Sequence, residues 1–115
     1  MRLFTRIAQV DAATVAERLA DRSVAVIDVR QPAEWRRGHI RGSLNLPLTQ
    51  LASRLHRLPN DKTIVVVCAS GHRSALAART LQRAGYQAEN LKGGMRSWTR
   101  AGLPLHSGRS GCRAA

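Results

Sequence analysis

The cysteine with the clearest chemical setting in this chain stands at the end of an apolar run. Cys68 follows Val65-Val66-Val67, and after the next four residues an alanine-rich segment begins. Where a strand leads through a tight loop into a helix, loop N–H groups and the helix N-terminus converge on one point and favour negative charge there. A cysteine at that point ionises readily, and Gly71 permits a turn that a side chain would block. We therefore predict a nucleophilic Cys68 thiolate. The predicted substrate-binding residues of this loop are Ala69, Ser70, Gly71, His72 and Arg73.

The length of the loop separates the reactions open to such a thiolate. A buried structural cysteine is the simplest alternative, but the Gly-His-Arg-Ser continuation favours a nucleophile. Such a thiolate attacks either a phosphate ester or a sulfane sulfur, and the second reaction gives a persulfide. Cysteine phosphatases carry His-Cys-x5-Arg, whereas Val67 precedes Cys68 here and the spacing is Cys-x4-Arg. The shorter loop suits a single added sulfur atom, so a cysteine phosphatase or arsenate reductase is the less favoured enzyme class.

Charged and polar side chains near other element ends are candidates for supporting this loop. Asp28 ends a predicted strand, and we expect it to orient loop backbone or an arginine. Arg30 lies near the same rim and is a candidate for binding an anion, whereas Glu34 is expected to pair with an arginine. Arg73 either attracts an anionic donor or braces the loop by pairing with Asp28 or Glu34. Ser74 completes the predicted supporting residues.

Other polar residues have less specific roles. We expect His72 to be exposed and to steer anions rather than to act as a base. Ser70 either donates a hydrogen bond to the sulfur or only fills space. Trp35 and His39 are expected to be packed loop residues, since a lone histidine near glycine is rarely a metal site. Because no paired metal-ligand spacing is visible, we expect no metal and no cofactor.

Strands and helices alternate along the predicted chain. Buried strands are predicted over three apolar runs: 23–29, 62–67 and 87–91. Helices are predicted over five segments: 12–20, 31–37, 49–58, 73–84 and 95–100. Asp11 and Thr49 are the expected N-caps of the first and third helices, and residues 40–48 are expected to be a loop with at most a short strand. This alternation predicts an α/β fold, with a mostly parallel central sheet and helices on both faces. Cys68 then lies at a carboxyl end of the strands, where such sheets bind ligands.

Length and composition limit the possible classes of protein. The 115 residues fit one domain, predicted over residues 5–105. The longest apolar run, Ile64–Ala69, is far shorter than the roughly 20 residues of a membrane span. The N-terminal residues lack the apolar region of a signal peptide. We therefore expect a cytoplasmic protein without a membrane partner.

The net charge of +12, from 19 basic residues against 7 acidic ones, favours anionic partners. Such partners include a small anionic substrate, an acidic protein or nucleic acid; a bias toward arginine codons is an alternative explanation of the charge. The basic residues are dispersed, and aromatic residues, which stack on bases, make up only 3% of the chain. We expect a small anionic sulfur donor, a thiol or cyanide acceptor and an acceptor protein as the possible partners, and no nucleic acid.

The second cysteine, Cys112, lies in a Gly-, Ser- and Arg-rich segment, residues 106–115, that is predicted to be a flexible tail. Cys112 either resolves a Cys68 persulfide as a disulfide or is incidental. We favour the incidental role.

Four separated motifs together resemble the rhodanese family of sulfurtransferases over about residues 5–105. In chain order the motifs are Asp28-Val29-Arg30; Glu34-Trp35-x-x-Gly38-His39-Ile40-x-Gly42-Ser43-x-Asn45-x-Pro47; Cys68-x-x-Gly71-x-Arg73-Ser74; and Leu91-x-Gly93-Gly94-x-x-x-Trp98. Each motif alone is weak, but their order and spacing make the resemblance specific.

The resemblance implies a three-layer, single-domain rhodanese-like fold and a sulfurtransferase. In that activity Cys68 takes sulfane sulfur from thiosulfate or a similar donor, becomes a persulfide, and passes the outer sulfur to cyanide or a thiol. The family's related phosphatases carry a loop one residue longer. Some members lack the cysteine and act only as binding modules, so a non-catalytic module is the alternative function; this chain keeps the cysteine.

Overall fold

The computed structural model of the chain describes residues 6–108. Five strands lie in it: β1 (Ala8–Val10), β2 (Val24–Asp28), β3 (Leu44–Asn45), β4 (Thr63–Val67) and β5 (Ala88–Leu91). The α-helices are α1 (Ala12–Ala20), α2 (Pro32–Arg37), α3 (Leu48–Leu51), α4 (His72–Arg83) and α5 (Gly94–Arg100). A 3₁₀-helix, Ala52–Arg57, continues from α3.

The five strands form one parallel sheet in the order β1-β5-β4-β2-β3. In this register Asp28, the last residue of β2, lies beside Val67, the last residue of β4. The following residue, Val29, continues the pairing by donating a backbone hydrogen bond to the Val67 carbonyl over 2.9 Å. The carboxyl ends of the central strands therefore meet at one edge, where Cys68 begins its loop.

Alternate residues of the central strands face two separate hydrophobic cores. One core joins the sheet to α3 and α4 and contains, among others, Ile27, Ile64, Val66, Ala77 and Leu81. The other core joins the sheet to α1 and α5 and contains, among others, Val15, Val26, Val65, Met95 and Trp98. Burying strand residues on both faces explains why the strands are continuous apolar runs. The predicted α/β fold, with helices on both faces of a parallel sheet, is confirmed.

The predicted helix over 49–58 is wrong in its start and in its type. Helix α3 begins at Leu48, before the predicted cap Thr49, and the chain becomes 3₁₀-helical at Ala52. An α-helix needs a donor four residues after Leu55, but that residue is Pro59, which has no N–H. The Leu55 carbonyl accepts instead from the Leu58 N–H at 3.0 Å and from the Tyr86 hydroxyl at 2.8 Å. The proline thus favours the tighter i→i+3 turn.

The two edge strands carry weaker local signals than the three predicted strands. The sequence does not predict strand β1. The strand has only three residues, two of them exposed, and so it gives no apolar pattern. Its partner is β5, with Ala8 beside Glu89. Strand β3 is the short strand allowed within 40–48. In both cases the backbone pairing with a distant strand, rather than the local sequence, specifies the strand.

The segment after α5 returns to the region that follows α2. His39 and His106 exchange two backbone hydrogen bonds, of 2.9 and 2.8 Å, and the Gly108 N–H donates to the Arg36 carbonyl. Residues 106–108 of the predicted tail are thus bonded to the domain, whereas the rest of the tail, with Cys112, lies outside the described residues. In the described part of the chain, no helix has both the length and the apolar character that crossing a bilayer requires.

Candidate active site

Cys68 is the first residue after β4, and its loop reaches the start of α4 at His72. The thiol side chain is buried, with the residue 1% exposed. Gly71 caps α4 with φ of 107°, a left-handed conformation that side chains disfavour. The chain therefore turns back on itself within four residues and directs its N–H groups at the sulfur.

The Cys68 sulfur accepts hydrogen bonds from several neighbours. The Gly71 N–H lies 3.0 Å from Sγ, and the Ser74 hydroxyl oxygen lies 3.3 Å from it. Backbone N–H groups of Ser70 and Ser74 also interact with the sulfur. Burial raises the pKa of the Cys68 thiol, but these hydrogen bonds outweigh burial and hold the pKa below its ordinary value. The loop thus favours the thiolate, the reactive form of cysteine.

The other predicted loop residues have different partners. The Ala69 carbonyl accepts a hydrogen bond from the Arg96 N–H at 3.1 Å. The Ser70 hydroxyl lies 3.0 Å from the His72 ring rather than on the sulfur, and His72 is exposed. Of the predicted cradle, Ser70 and Gly71 contribute N–H groups to the sulfur. Substrate binding by all five predicted loop residues stays a prediction: Ala69, Ser70, Gly71, His72 and Arg73.

Ser74, a predicted supporting residue, links the sulfur to a side chain of β5. Its hydroxyl contacts both Cys68 Sγ and Asn90 Oδ1, and both Ser74 and Asn90 are buried. The Asn90 Nδ2 donates to Gln9 Oε1 at 3.0 Å and to the Gly71 carbonyl at 3.3 Å. These two acceptors orient the amide so that its oxygen faces Ser74. Because a hydroxyl has one proton, the sulfur and Asn90 compete for it.

Asn90 and Gln9 were not singled out from the sequence. Asn90 did carry a signal, since it is a polar residue near the carboxyl end of a buried strand, as Asp28 is in β2. Gln9 carried none, because its contact with Asn90 depends on the pairing of β1 with β5.

Arg73 pairs with Glu34, one of the two carboxylates proposed for it. Two hydrogen bonds, of 2.8 and 3.1 Å, join the guanidinium to the carboxylate. The bonds from Arg73, which outweigh burial, lower the pKa of Glu34 to about 2. Both side chains are about one-third exposed, 37% for Arg73 and 31% for Glu34. The pair connects α4 to α2 and keeps the Arg73 guanidinium near the cysteine loop.

Asp28 and Arg30 form a second, buried pair. Arg30 Nη2 lies 2.7 Å from Asp28 Oδ2 and 2.7 Å from the Gly38 carbonyl. Asp28 Oδ1 also accepts the Arg30 backbone N–H at 3.0 Å. Asn45 Nδ2 donates hydrogen bonds to the backbone carbonyls of both residues. Asp28 thus orients backbone and an arginine, and anion binding by Arg30 stays a prediction.

Helix α5 begins directly against the backbone of the cysteine loop. The Met95 N–H donates to the Cys68 carbonyl at 2.8 Å, beside the Arg96–Ala69 bond. A Cβ atom on Gly94 would lie 2.3 Å from the Cys68 carbonyl oxygen. Gly94 is therefore the residue that allows α5 to approach the loop that begins at Cys68.

Trp35, His39 and Trp98 pack away from the sulfur. The rings of Trp35 and His39 stack with centroids 3.8 Å apart, and both residues are buried as predicted. Trp98 lies in the core and donates its indole N–H to the Pro104 carbonyl at 2.8 Å. Within residues 6–108, no three His, Cys, Asp or Glu side chains are grouped closely enough to hold a metal ion.

Comparisons with known proteins place the chain among similar sequences and structures. The family model of the rhodanese-like domain matches residues 11–101. A sulfurtransferase of Allochromatium vinosum is 38% identical over 99 residues, which are 84% of this chain and 92% of that protein. The structure of a rhodanese-related protein of Thermoplasma volcanium superposes with a TM-score of 0.81 at 34% identity, covering 86% of this chain and 97% of the other.

A larger protein contains a similar domain. The structure of a thiosulfate sulfurtransferase of Pseudomonas aeruginosa superposes with a TM-score of 0.84 at 27% identity. The match covers 95% of this chain and 22% of the other. This chain thus spans nearly all of the first two proteins and about a fifth of the third.

Proposed function

The chain belongs to the rhodanese-like domain family, whose members include sulfurtransferases, and from that premise we propose that it transfers sulfane sulfur through a persulfide on Cys68. The donor is thiosulfate or a similar small anion, and the acceptor is a thiol or, in the laboratory, cyanide. The observation that carries the proposal is the buried Cys68 sulfur with the Gly71 N–H at 3.0 Å and the Ser74 hydroxyl at 3.3 Å.

In the first step the Cys68 thiolate attacks the outer sulfur of thiosulfate. The S–S bond of the donor breaks, and its electron pair leaves with sulfite. Cys68 then carries a persulfide whose terminal sulfur is an anion. The N–H groups of Ser70 and Gly71 and the Ser74 hydroxyl are placed to donate to this negative charge.

In the second step the acceptor attacks the terminal sulfur of the persulfide. The new bond forms to the carbon of cyanide or to the sulfur of a thiolate, and the Cys68 S–S bond breaks. Thiocyanate or the acceptor's persulfide leaves, and Cys68 regains the electron pair as a thiolate. The hydrogen bonds that lower the pKa of the thiol also make it a better leaving group.

Positive groups around the loop favour an anionic donor. Arg73 stays cationic while it is held by Glu34, and the exposed His72 lies beside it at the start of α4. The buried Arg30 adds a cation at the neighbouring strand end, where Asp28 neutralises most of its field. We place the reaction in the cytoplasm, where acceptor thiols remain reduced.

The loop size argues against phosphate chemistry. Only four residues separate Cys68 from Arg73, and the Arg73 guanidinium is engaged by Glu34. A phosphatase loop has to surround a tetrahedral phosphoryl group and keep its arginine available for the oxygens. The non-catalytic module remains the alternative that an activity measurement excludes or supports.

Turnover of thiosulfate and cyanide to thiocyanate tests the proposal. We expect the native protein to form thiocyanate and Cys68→Ser to form none, because the substitution removes the sulfur that the Gly71 N–H and the Ser74 hydroxyl contact. Cys112→Ser is the matched control, since it removes the other cysteine, and should keep the native rate. Full activity in Cys68→Ser would overturn the assignment of the nucleophile. No activity in the native protein with thiosulfate, a polysulfide or mercaptopyruvate would favour the binding module.

A further inference from the structure

We propose that a cleft beside the cysteine loop docks an acidic protein segment that carries the acceptor thiol, an inference that rests on the proposed function. The cleft is named here the arginine cleft, after the side chains of Arg37, Arg96 and Arg100 that line it.

Two adjoining depressions form the arginine cleft. One has a volume of about 460 Å³ and is lined by Ala69, Met95, Arg96, Thr99 and Arg100. The other has a volume of about 290 Å³ and lies between α2 and α5, with Arg37 and Glu34 on its wall. Met95 and Thr99 line both, so the two depressions lie side by side. The cleft therefore runs from the residue after the nucleophile to helix α2.

The charges of the arginine cleft are unbalanced. Arg37, Arg96 and Arg100 are exposed, and none forms an ion pair with any residue in the described range. The carboxylate on the wall, Glu34, is already paired with Arg73. Three guanidinium groups without an ion pair among residues 6–108 thus line the two depressions, which share the buried Met95. Guanidinium groups bind carboxylates through two parallel hydrogen bonds, which suits acidic side chains.

The extent of the cleft favours a protein segment over a small anion. Arg96 and Arg100 lie four residues apart, and hence about one turn apart on one side of α5, while Arg37 comes from the end of α2. A small donor contacts one such position at a time. An extended chain with several carboxylates contacts all three arginines and packs an apolar group on Met95.

The position of the cleft links docking to sulfur transfer. The first turn of α5 is hydrogen-bonded to the carbonyls of Cys68 and Ala69, at 2.8 and 3.1 Å. A segment bound by Arg96 and Arg100 therefore lies on helix α5, which is hydrogen-bonded to the backbone of the cysteine loop. Such a segment can hold its own thiol near the persulfide, which raises the effective concentration of the acceptor.

The test uses synthetic peptides of equal length in which one cysteine is flanked by glutamates or by lysines. The 115-residue chain is loaded with thiosulfate, and the rate of persulfide transfer to each peptide is measured at low ionic strength. We expect the glutamate peptide to exceed the lysine peptide by at least about tenfold, the lower range of electrostatic steering. The ratio should approach one in about 1 M salt, where the Debye length is about 3 Å.

Two charge-reversed variants localise the effect. R96E/R100E should lower the peptide ratio about tenfold. R79E/R83E is the matched control, because Arg79 and Arg83 are also exposed, unpaired within the described range and four residues apart, but they lie on the later turns of α4. R79E/R83E changes the net charge by the same amount as R96E/R100E, and it should change the ratio of the two peptide rates by no more than about twofold. The intrinsic reactivities of the peptides cancel because the same peptides are used with each variant.

Binding of the same peptides with their thiols methylated separates this inference from the proposed function. Fluorescence anisotropy should show tighter binding of the methylated glutamate peptide, lost in R96E/R100E, even if no persulfide forms. Equal binding of the two methylated peptides, or equal losses in R79E/R83E and R96E/R100E, would overturn the docking proposal. An R96E/R100E variant that only slows loading by thiosulfate would also overturn it, because the cleft would then bind the donor.

Discussion

Cys68 combines deep burial with stabilisation of its ionised form. A buried thiol ordinarily holds its proton more tightly, because burial disfavours the charged form. Here the Gly71 N–H and the Ser74 hydroxyl compensate for the lost water. Each of these donors is held in turn by the protein, since Asn90 binds both the Gly71 carbonyl and the Ser74 hydroxyl. The reactivity of this residue is therefore a property of its hydrogen-bond donors.

Ser74→Ala should raise the pKa of the Cys68 thiol. The substitution removes a donor that favours the thiolate, and no other contact replaces it. The alkylation rate with iodoacetamide, followed against pH, should shift to higher pH and be lower near neutrality. Ser70→Ala is the control, because the Ser70 hydroxyl bonds His72 rather than the sulfur. An unchanged profile in Ser74→Ala would contradict the role of this hydroxyl.

Asn90→Leu should shift the same pKa in the opposite direction. Leucine has a similar size but no acceptor, so the Ser74 proton would turn fully toward the sulfur. Thiolate absorbance followed against pH should show a lower pKa of Cys68 in Asn90→Leu than in the wild type. The double variant Asn90→Leu/Ser74→Ala should not show this lower pKa, because it lacks the Ser74 hydroxyl. The free energy of unfolding should fall by about 1–3 kcal/mol, because Gln9 Oε1 and the Gly71 carbonyl each lose a hydrogen bond from the Asn90 amide. A raised pKa would show that Asn90 does not compete for the proton.

At the scale of elements, helix α5 is held against the cysteine loop by a close backbone approach. Gly94→Ala should lower the free energy of unfolding by about 2–5 kcal/mol, from the left-handed φ of 61° and from the clash with the Cys68 carbonyl. Urea unfolding measures the loss, and alkylation of Cys68 should also slow. Gly102→Ala is the matched control, since Gly102 has φ of 75° but no atom within 4 Å of the added Cβ. Its loss should be only about 1–2 kcal/mol. Equal losses would contradict the close approach.

The Arg73–Glu34 pair joins α4 to α2 and makes stability depend on acid pH. The pKa of Glu34 is about 2 in the folded protein, against about 4.3 in an unfolded chain. The stabilisation is therefore complete above about pH 5 and is lost as the pH falls toward 2. Near neutral pH, the free energy of unfolding of the wild type should exceed that of Glu34→Gln by at most about 1 kcal/mol, because both partners of the pair are about one-third exposed.

Denaturant unfolding at several pH values tests this dependence. The difference between wild type and Glu34→Gln should shrink between pH 5 and pH 2. Glu17→Gln, at an exposed position of α1, controls for the loss of one negative charge. A difference that stays constant down to pH 2 would show that the pair does not stabilise the fold.

What the sequence predicts at this scale depends on where each signal lies. Strand β4 and helix α2 carry their signals locally, in a β-branched run and in Pro32 followed by Glu34 and Gly38. Strand β1 does not, because it depends on pairing with β5. The last turn of the 3₁₀-helix did have a local signal, since Pro59 lacks the N–H that an α-helical bond to Leu55 needs. For the site, Cys68 and Ser74 follow from one motif. The Asn90–Gln9 contact joins residues 81 positions apart, so only the folded sheet reveals it.

Across the whole molecule, the parallel sheet brings the functional residues to one edge. Strands β2, β4 and β5 end near Asp28, Cys68 and Asn90, and helices α2, α4 and α5 begin just beyond the same edge. Two helices on opposite faces of the sheet thus contribute to one site. Helix α4 supplies hydrogen bonds to the sulfur, and helix α5 supports the loop. This arrangement explains how elements that are far apart in the sequence enclose the Cys68 thiol at a single edge of the sheet.

The central claim is that Cys68 carries the transferred sulfur, and intact-mass measurement after incubation with thiosulfate tests it most directly. We expect a gain of one sulfur atom in the native protein and in Cys112→Ser, no gain in Cys68→Ser, and loss of the gained mass when cyanide is added. A gain that persists in Cys68→Ser and disappears in Cys112→Ser would contradict the account, because the sulfur would then be carried by the other cysteine.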